Sequence, residues 1–300
     1  MRSRLGLALR ISTCWFCMVF LVTPPRPALA ATQVAAGRKP AAQGIRLPTL
    51  MYHDFGDADR DLVVDKDQFK AQIQYLRDNG YQAISVGDLL EALNGRAALP
   101  AKPVILTFDD GYVSHYEFVY PTLKESGMTG AFFVIAGSVG KPGYASWEQL
   151  AEMAQAGMEI ECHSFSHPDM RQVAAGPRLT RETLGARKLM EEKLSRKVRF
   201  FCYPSGRYDD KTIRALQKAG YAAAFTTANR YTDASSGPFA LSRLRIRRSD
   251  TLELFAEKLK PPAARMSPTL RTSTSGTPAA ETAAGRPATG GKTLFQVLRE

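Results

Sequence analysis

Residues 103–135 read PVILTFDDGYVSHYEFVYPTLKESGMTGAFFVI, and this stretch decides the fold. The apolar run PVILTF at 103–108 has the length and composition of a strand. Asp109-Asp110-Gly111 ends it with turn chemistry. A helix-like segment through Leu123 stops at Ser126-Gly127, and a second apolar run, GAFFVI at 130–135, begins at once. Glycine at a helix end supplies the left-handed residue needed there. Two strands joined through a helix make a parallel pair. Runs such as VILTF and AFFVI, without polar alternation, fit strands buried on both faces.

The same pattern recurs on both sides. Phe69, Ile73 and Leu76 stand at helical spacing, Asn79-Gly80 stops the run, and YQAIS follows. Ser146 with Gln149 makes a capping box, the helix ends at Gly157, and MEIECH follows. Ile213 and Leu216 lead to Gly220 and then YAAAFT. Further strands are expected at 48–53 (PTLMYH), 198–203 (VRFFCY) and 243–247 (RLRIR). Strands alternating with helices predict an α/β fold. Seven or eight parallel strands within 45–260 favour a distorted (β/α) barrel in a single domain.

The 300 residues are 44% hydrophobic and 23% charged, which excludes a wholly disordered chain, a collagen and a polytopic membrane protein. The formal charge is +11, and four of the cations, Arg2, Arg4, Arg10 and Arg26, fall in the first 30 residues, which carry no acid. The basic remainder suits an anionic surface or polymer. No basic-aromatic stripe or nucleic-acid motif is present, so nucleic acid is not expected as a partner. Residues 1–30 combine an Arg-rich start, the apolar run Ile11–Val22 and Ala28-Leu29-Ala30 before Ala31. That is the logic of a secretory signal peptide, and the run is short for a membrane span. Residues 31–44 read as a small-residue linker and 261–300 as a low-complexity, disordered tail. The expected location is therefore secreted or periplasmic, with no membrane span after cleavage. Cys14 and Cys17 leave with the signal. Cys162 and Cys202 stay, as free thiols or as one bridge.

In parallel α/β folds, function sits beyond the carboxyl ends of the strands. After PTLMY comes His53, after VILTF come Asp109 and Asp110, after MEIEC comes His163-Ser-Phe-Ser-His167, and after VRFFC comes Tyr203-Pro204-Ser205-Gly206. Each piece alone has a plain explanation as turn, cap or surface residue. Their convergence on one rim does not. Two imidazoles and a carboxylate make a facial metal site with open positions, suited to zinc and also to iron or cobalt. Of two adjacent aspartates, one can reach a metal while the other takes a proton from a metal-activated water. Cys162 and Cys202 are expected to point into the packed wall, and His115 to lie on the surface. Among the aromatic residues near these loops, Tyr203 is the one singled out for sugar stacking.

TFDDG at 107–111 and HSFSH at 163–167 resemble the first two motifs of the polysaccharide deacetylase family, also called the NodB-homology domain or carbohydrate esterase family 4. The resemblance spans about 48–258. It implies metal-dependent hydrolysis of acetyl groups on a polymer of acetylated sugars. Carried over by position, Asp109 is the general base, and Asp110, His163 and His167 hold a divalent metal, zinc first among zinc, cobalt, nickel and iron. The third motif departs from the family. An Arg is usual where this chain has Cys202, ahead of Tyr203, Pro204, Ser205 and Gly206. The backbone N–H of Ser205 can still serve an oxyanion hole. What orients Asp109 is then open. Arg243, Arg245 and Arg247 alternate along a late strand, so one of them could substitute, although a solvated basic strand face is the plainer reading.

The family's late Leu-x-His is absent, since no His follows His167. Leu50-Met51-Tyr52-His53 stands near the start instead. A closed barrel brings its first and last strands together, so His53 can face the same pocket. This resembles the circularly permuted branch, which includes deacetylases of poly-β-1,6-N-acetylglucosamine. The expected protein is a secreted N-deacetylase of a cell-surface or biofilm polysaccharide, with Asp109 as base and His53 as acid. Three rivals stand beside it: an O-acetyl esterase, a non-catalytic glycan-binding module on the same fold, and an assembly partner of an envelope or export complex through the tail.

Overall fold

The structure, a computed structural model, describes residues 44–260. The expected signal peptide, the linker apart from its last residue, and the tail lie outside the described residues. Seven parallel strands form a closed ring: β1 (Thr49–Tyr52), β2 (Pro103–Asp110), β3 (Ala131–Val134), β4 (Glu159–Cys162), β5 (Phe200–Cys202), β6 (Ala223–Asn229) and β7 (Leu241–Arg245). Each pairs with its successor. β7 closes on β1 through Leu244 opposite Leu50 and Arg245 opposite Met51. A two-residue strand, Gln82–Ala83, adds to the start of β2, so the ring has seven members. Among the described residues no helix is long and apolar enough to cross a membrane.

The helices follow the sequence pattern. α1 (Lys66–Asp78), α2 (Val86–Leu93), α3 (Tyr120–Glu125), α4 (Trp147–Gln155), α5 (Ala186–Leu194), α6 (Asp210–Ala219) and α7 (Leu252–Lys258) fill the connections. The capping box of Ser146 and Gln149 forms at α4. Gly80, Gly127, Gly157 and Gly220 all take positive φ, as the stop signals require. The expectations passed over α2 and the helical stretch 177–194. The last strand starts at Leu241, two residues before the expected start.

Alternation along the strands sorts two cores. Outward residues such as Leu106, Phe108, Phe132 and Ile160 pack under the helices. Inward residues, including Ile105, Phe133, Phe200, Cys202, Phe225 and Leu241, fill the barrel, and α2 closes its floor with Val86, Leu89 and Leu90. The ring is weakest between β4 and β5, where Cys162 and Phe201 are the one paired register. There Glu161 accepts hydrogen bonds from Arg199 N–H at 2.8 Å and Phe200 N–H at 2.7 Å, in place of ladder carbonyls.

Candidate active site

The same alternation builds the site. His53, Asp109, His163 and Arg245 are each the next inward position above a buried inner layer. They line one cavity of about 320 Å³, with Asp61, Leu62, Asp110, His167, Ser205 and Thr227. Asp110 should follow Phe108 to the outer face, but its φ of 81° swings the carboxylate back to the mouth. An aspartate tolerates that conformation better than most residues. Thr227 comes from a bulge in β6, where the register to β7 shifts between Phe225 and Asn229.

Asp109 is anchored from below. Arg243, fully buried, donates Nη1 to Oδ1 and Nη2 to Oδ2, both at 2.7 Å. Its Nε donates to the Thr226 carbonyl and its Nη1 also to Thr107 Oγ1. Burial alone would raise the Asp109 pKa, but the guanidinium more than offsets it and holds the carboxyl well below the usual range. The solvated reading of the arginine strand therefore fails at Arg243, which points inward beside Asp109. Cys202 also departs from expectation. It faces the interior, with Sγ 3.0 Å from Arg243 Nη2 and 3.6 Å from Asp109 Oδ2. A small side chain there leaves the space that Arg243 occupies from two strands away. Burial pushes the Cys202 thiol up, and Arg243 already occupies Asp109 and Cys202, so those two with His163 are no cation site. Cys162 lies in the outer core, and both cysteines are free.

The fit to a metal is set by Asp110, His163 and His167. Asp110 Oδ1 lies 3.4 Å from His163 Nε2 and 3.6 Å from His167 Nε2. One ligand atom from each falls within 4.8 Å of the others. His163 Nδ1 is 2.7 Å from the Cys202 carbonyl. A carbonyl only accepts, so Nδ1 carries the proton and the Nε2 lone pair faces the cluster. That is the outer-shell bond a ligating imidazole needs. His167 is brought in by a loop with positive φ at Ser164 and His167. Glu182 fixes this loop by accepting from Phe165 N–H, Ser166 N–H and Ser166 Oγ. These donors fit a divalent cation.

His53 faces Asp109 across the cavity, with Nε2 3.9 Å from Oδ2. Burial lowers its pKa, against the pull of Asp109 and Asp110. His115 is not a surface residue. It is fully buried, with Nε2 2.5 Å from the His53 carbonyl. The chain after Gly111 winds into a π-helical turn, His115–Val119, which tucks the ring among Phe55, Phe108 and Phe132. Ser114 Oγ donates to Asp54 Oδ1 at 2.8 Å, so two neighbours hold the His53-Asp54 segment.

Of the third motif, only Ser205 reaches the cavity. Its φ is 54°. Tyr203 and Pro204 are buried and do not line the cavity. Tyr203 stacks on Tyr208 at 4.4 Å and donates to the Phe239 carbonyl, because the strand carries it to the outer layer. Gly206 is needed for closeness: a Cβ there would collide with Thr227 Oγ1. The sequence reading did not single out Glu182, Thr227, Asp61 or Leu62. Arg243 and Arg245 were visible only as alternating charge.

Comparison with known proteins agrees with this fold and its motifs. The polysaccharide deacetylase family profile matches residues 96–224. The polysaccharide-deacetylase homologue YxkH of Bacillus subtilis (strain 168) is 34% identical over 201 residues, covering 67% of this chain and 71% of YxkH. The poly-β-1,6-N-acetyl-D-glucosamine N-deacetylase of Escherichia coli (strain K12) is 28% identical over 232 residues, which span 63% of this chain and 34% of that enzyme. Among solved structures, the Streptococcus pyogenes deacetylase PplD, in complex with acetate, superposes with a TM-score of 0.69 at 30% identity, covering 72% of this chain and 99% of PplD. IcaB from Ammonifex degensii gives 0.63 at 29%, covering 72% and 96%. With its barrel, motifs and these relatives in agreement, the chain belongs to the polysaccharide deacetylase family.

Proposed function

We propose that this protein is a metal-dependent N-deacetylase of an extracellular polysaccharide of the poly-β-1,6-N-acetylglucosamine type, working in the periplasm or outside the cell. One observation carries the reading: a two-histidine, one-carboxylate donor set shares a cavity with an arginine-clamped aspartate and a facing histidine. Asp110, His163 and His167 would hold the cation, zinc first, which when bound polarises the acetyl carbonyl and acidifies a water. Asp109, kept ionised by Arg243, takes the proton of the attacking water. His53, which faces Asp109 across the cavity, protonates the departing nitrogen as general acid. An imidazole held neutral by burial gives up such a proton readily. The Ser205 N–H, on a residue that lines the cavity, would serve the developing oxyanion. An amide needs this acid more than an ester does, because amines leave poorly without a proton. Arg243 also replaces the missing third-motif arginine, which was the one feature favouring a non-catalytic module.

The test is acetate release from an N-acetylglucosamine oligomer by chelated protein, then after adding zinc, cobalt or nickel, with an O-acetylated oligomer in parallel. Asp110→Ala and His167→Ala are expected to abolish both metal binding and release. Retained release in either variant overturns the assignment.

A further inference from the structure

Arg245 is the exception among the arginines at the mouth of the barrel. Arg247 pairs with Asp61 and Arg248 with Asp59, while Arg171 and Arg207 share Asp169. One inward step below, Arg243 grips Asp109. Arg245 lines the cavity itself, yet among the described residues no acceptor meets its guanidinium, and its Nε is wholly buried without a partner. The backbone is pinned on both sides: Arg245 N–H donates to Asn229 Oδ1 at 2.9 Å, and its carbonyl accepts Lys258 Nζ at 2.8 Å. A secluded guanidinium nitrogen without a partner is costly. A ligand that supplies acceptors removes that cost.

Topology says which part of a ligand this is. β7 is the neighbour of β1, with Arg245 opposite Met51, two residues before His53. Asp110, His163 and His167 come from β2 and the loop after β4. His53 must reach the departing nitrogen, so an acetyl group bound at those three would turn its sugar ring toward His53, and Arg245 lines the same cavity on that side.

We infer that Arg245 binds the sugar flanking the reacting unit and discriminates by charge, accepting an acetylated neighbour and excluding one already deacetylated. This rests on the N-deacetylase reading. An intact N-acetylated sugar offers the guanidinium neutral acceptors, its hydroxyl and acetyl oxygens. A deacetylated neighbour offers an amine that takes up a proton near neutral pH, and its charged form is repelled by a like charge at the edge of the site. The reaction itself gives up its amine as a neutral leaving group, protonated through His53, so the repulsion acts on the next binding event. The product pattern is then dispersed along the polymer, with free amines spaced apart.

Two β-1,6-linked oligomers test this, one fully N-acetylated and one with a single free amine next to an acetylated unit. The wild type is expected to prefer the first by about tenfold in kcat/KM, the size of effect one charge exerts across a partly solvated site. High salt should shrink the preference. Arg245→Lys keeps the preference, and Arg245→Gln brings the ratio of the two substrates close to one. Sequencing of partly converted polymer should show adjacent amines in the Arg245→Gln product and few in the wild-type product. Equal ratios for wild type and Arg245→Gln overturn the inference. No turnover of the fully acetylated oligomer by wild type with any metal overturns the N-deacetylase reading instead.

Discussion

Both ends of the barrel interior bury carboxylates, and they hold them in opposite ways. At the mouth, Asp109 meets a bidentate guanidinium, and burial is outweighed, so its pKa falls. Toward the floor, Glu159 and Glu161 on β4 meet only backbone N–H groups: Val86 and Gly87 at the start of α2 for Glu159, Arg199 and Phe200 for Glu161. Burial wins there, and both pKa values rise. The first arrangement keeps a charge ready for proton transfer. The second uses carboxyl oxygens as substitutes for missing ladder and helix partners. A buried acid is therefore read by its donors and not by its burial.

The sharpest way to break the mouth is Arg243→Met, which keeps bulk and removes the cation. An uncompensated buried carboxylate costs about 3–5 kcal/mol, and a base released from its clamp loses about 10²-fold or more in kcat. Chemical denaturation and acetate release check the two effects. A variant with wild-type kcat would show that Arg243 has no part in placing Asp109.

At the floor the effect is on stability alone. Glu161→Leu strands the Arg199 and Phe200 N–H groups, expected to cost about 2–4 kcal/mol. Glu161→Gln keeps an acceptor oxygen and should cost less than about 1 kcal/mol. Thermal melting of both, with kcat/KM unchanged in the Gln variant, is the check. Equal losses in the two variants would mean that the charge, and not the acceptor, holds β4 to β5.

The sequence showed the scaffold well because the fold rests on local signals. Hydrophobic runs such as VILTF and AFFVI, the Ser146 box and the glycine stops needed no long-range information. The residues after the strands were legible because parallel strands deliver them to one rim. Pairings across the barrel were not legible. Arg243 and Asp109 are 134 positions apart, and nothing in the spacing of Arg243, Arg245 and Arg247 says which one turns inward to a charge. His115 was misjudged because a π-helical turn, invisible to a 3.6-residue period, rotates it beneath His53. Tyr203 was misjudged because a one-residue step along β5 changes the face.

A pH series sharpens the contrast between the two ends, with chelator present so that metal adds nothing. Asp109 has a depressed folded pKa, so its contribution is present above the unfolded carboxyl pKa and is lost as pH falls through the folded value. In Arg243→Met that contribution is gone, and the deficit against wild type should be largest near neutral pH and shrink toward acid. Glu161 has a raised folded pKa, so its contribution is complete below the unfolded value and is lost as pH rises through the folded one. Glu161→Gln does not titrate, and should gain on wild type as pH rises from about 4 to 8. Denaturant melts of the three proteins across that range should give two difference curves of opposite slope. Parallel slopes would mean that the acids at the mouth and the floor titrate alike, and the distinction between a charge kept and an acceptor lent would fall.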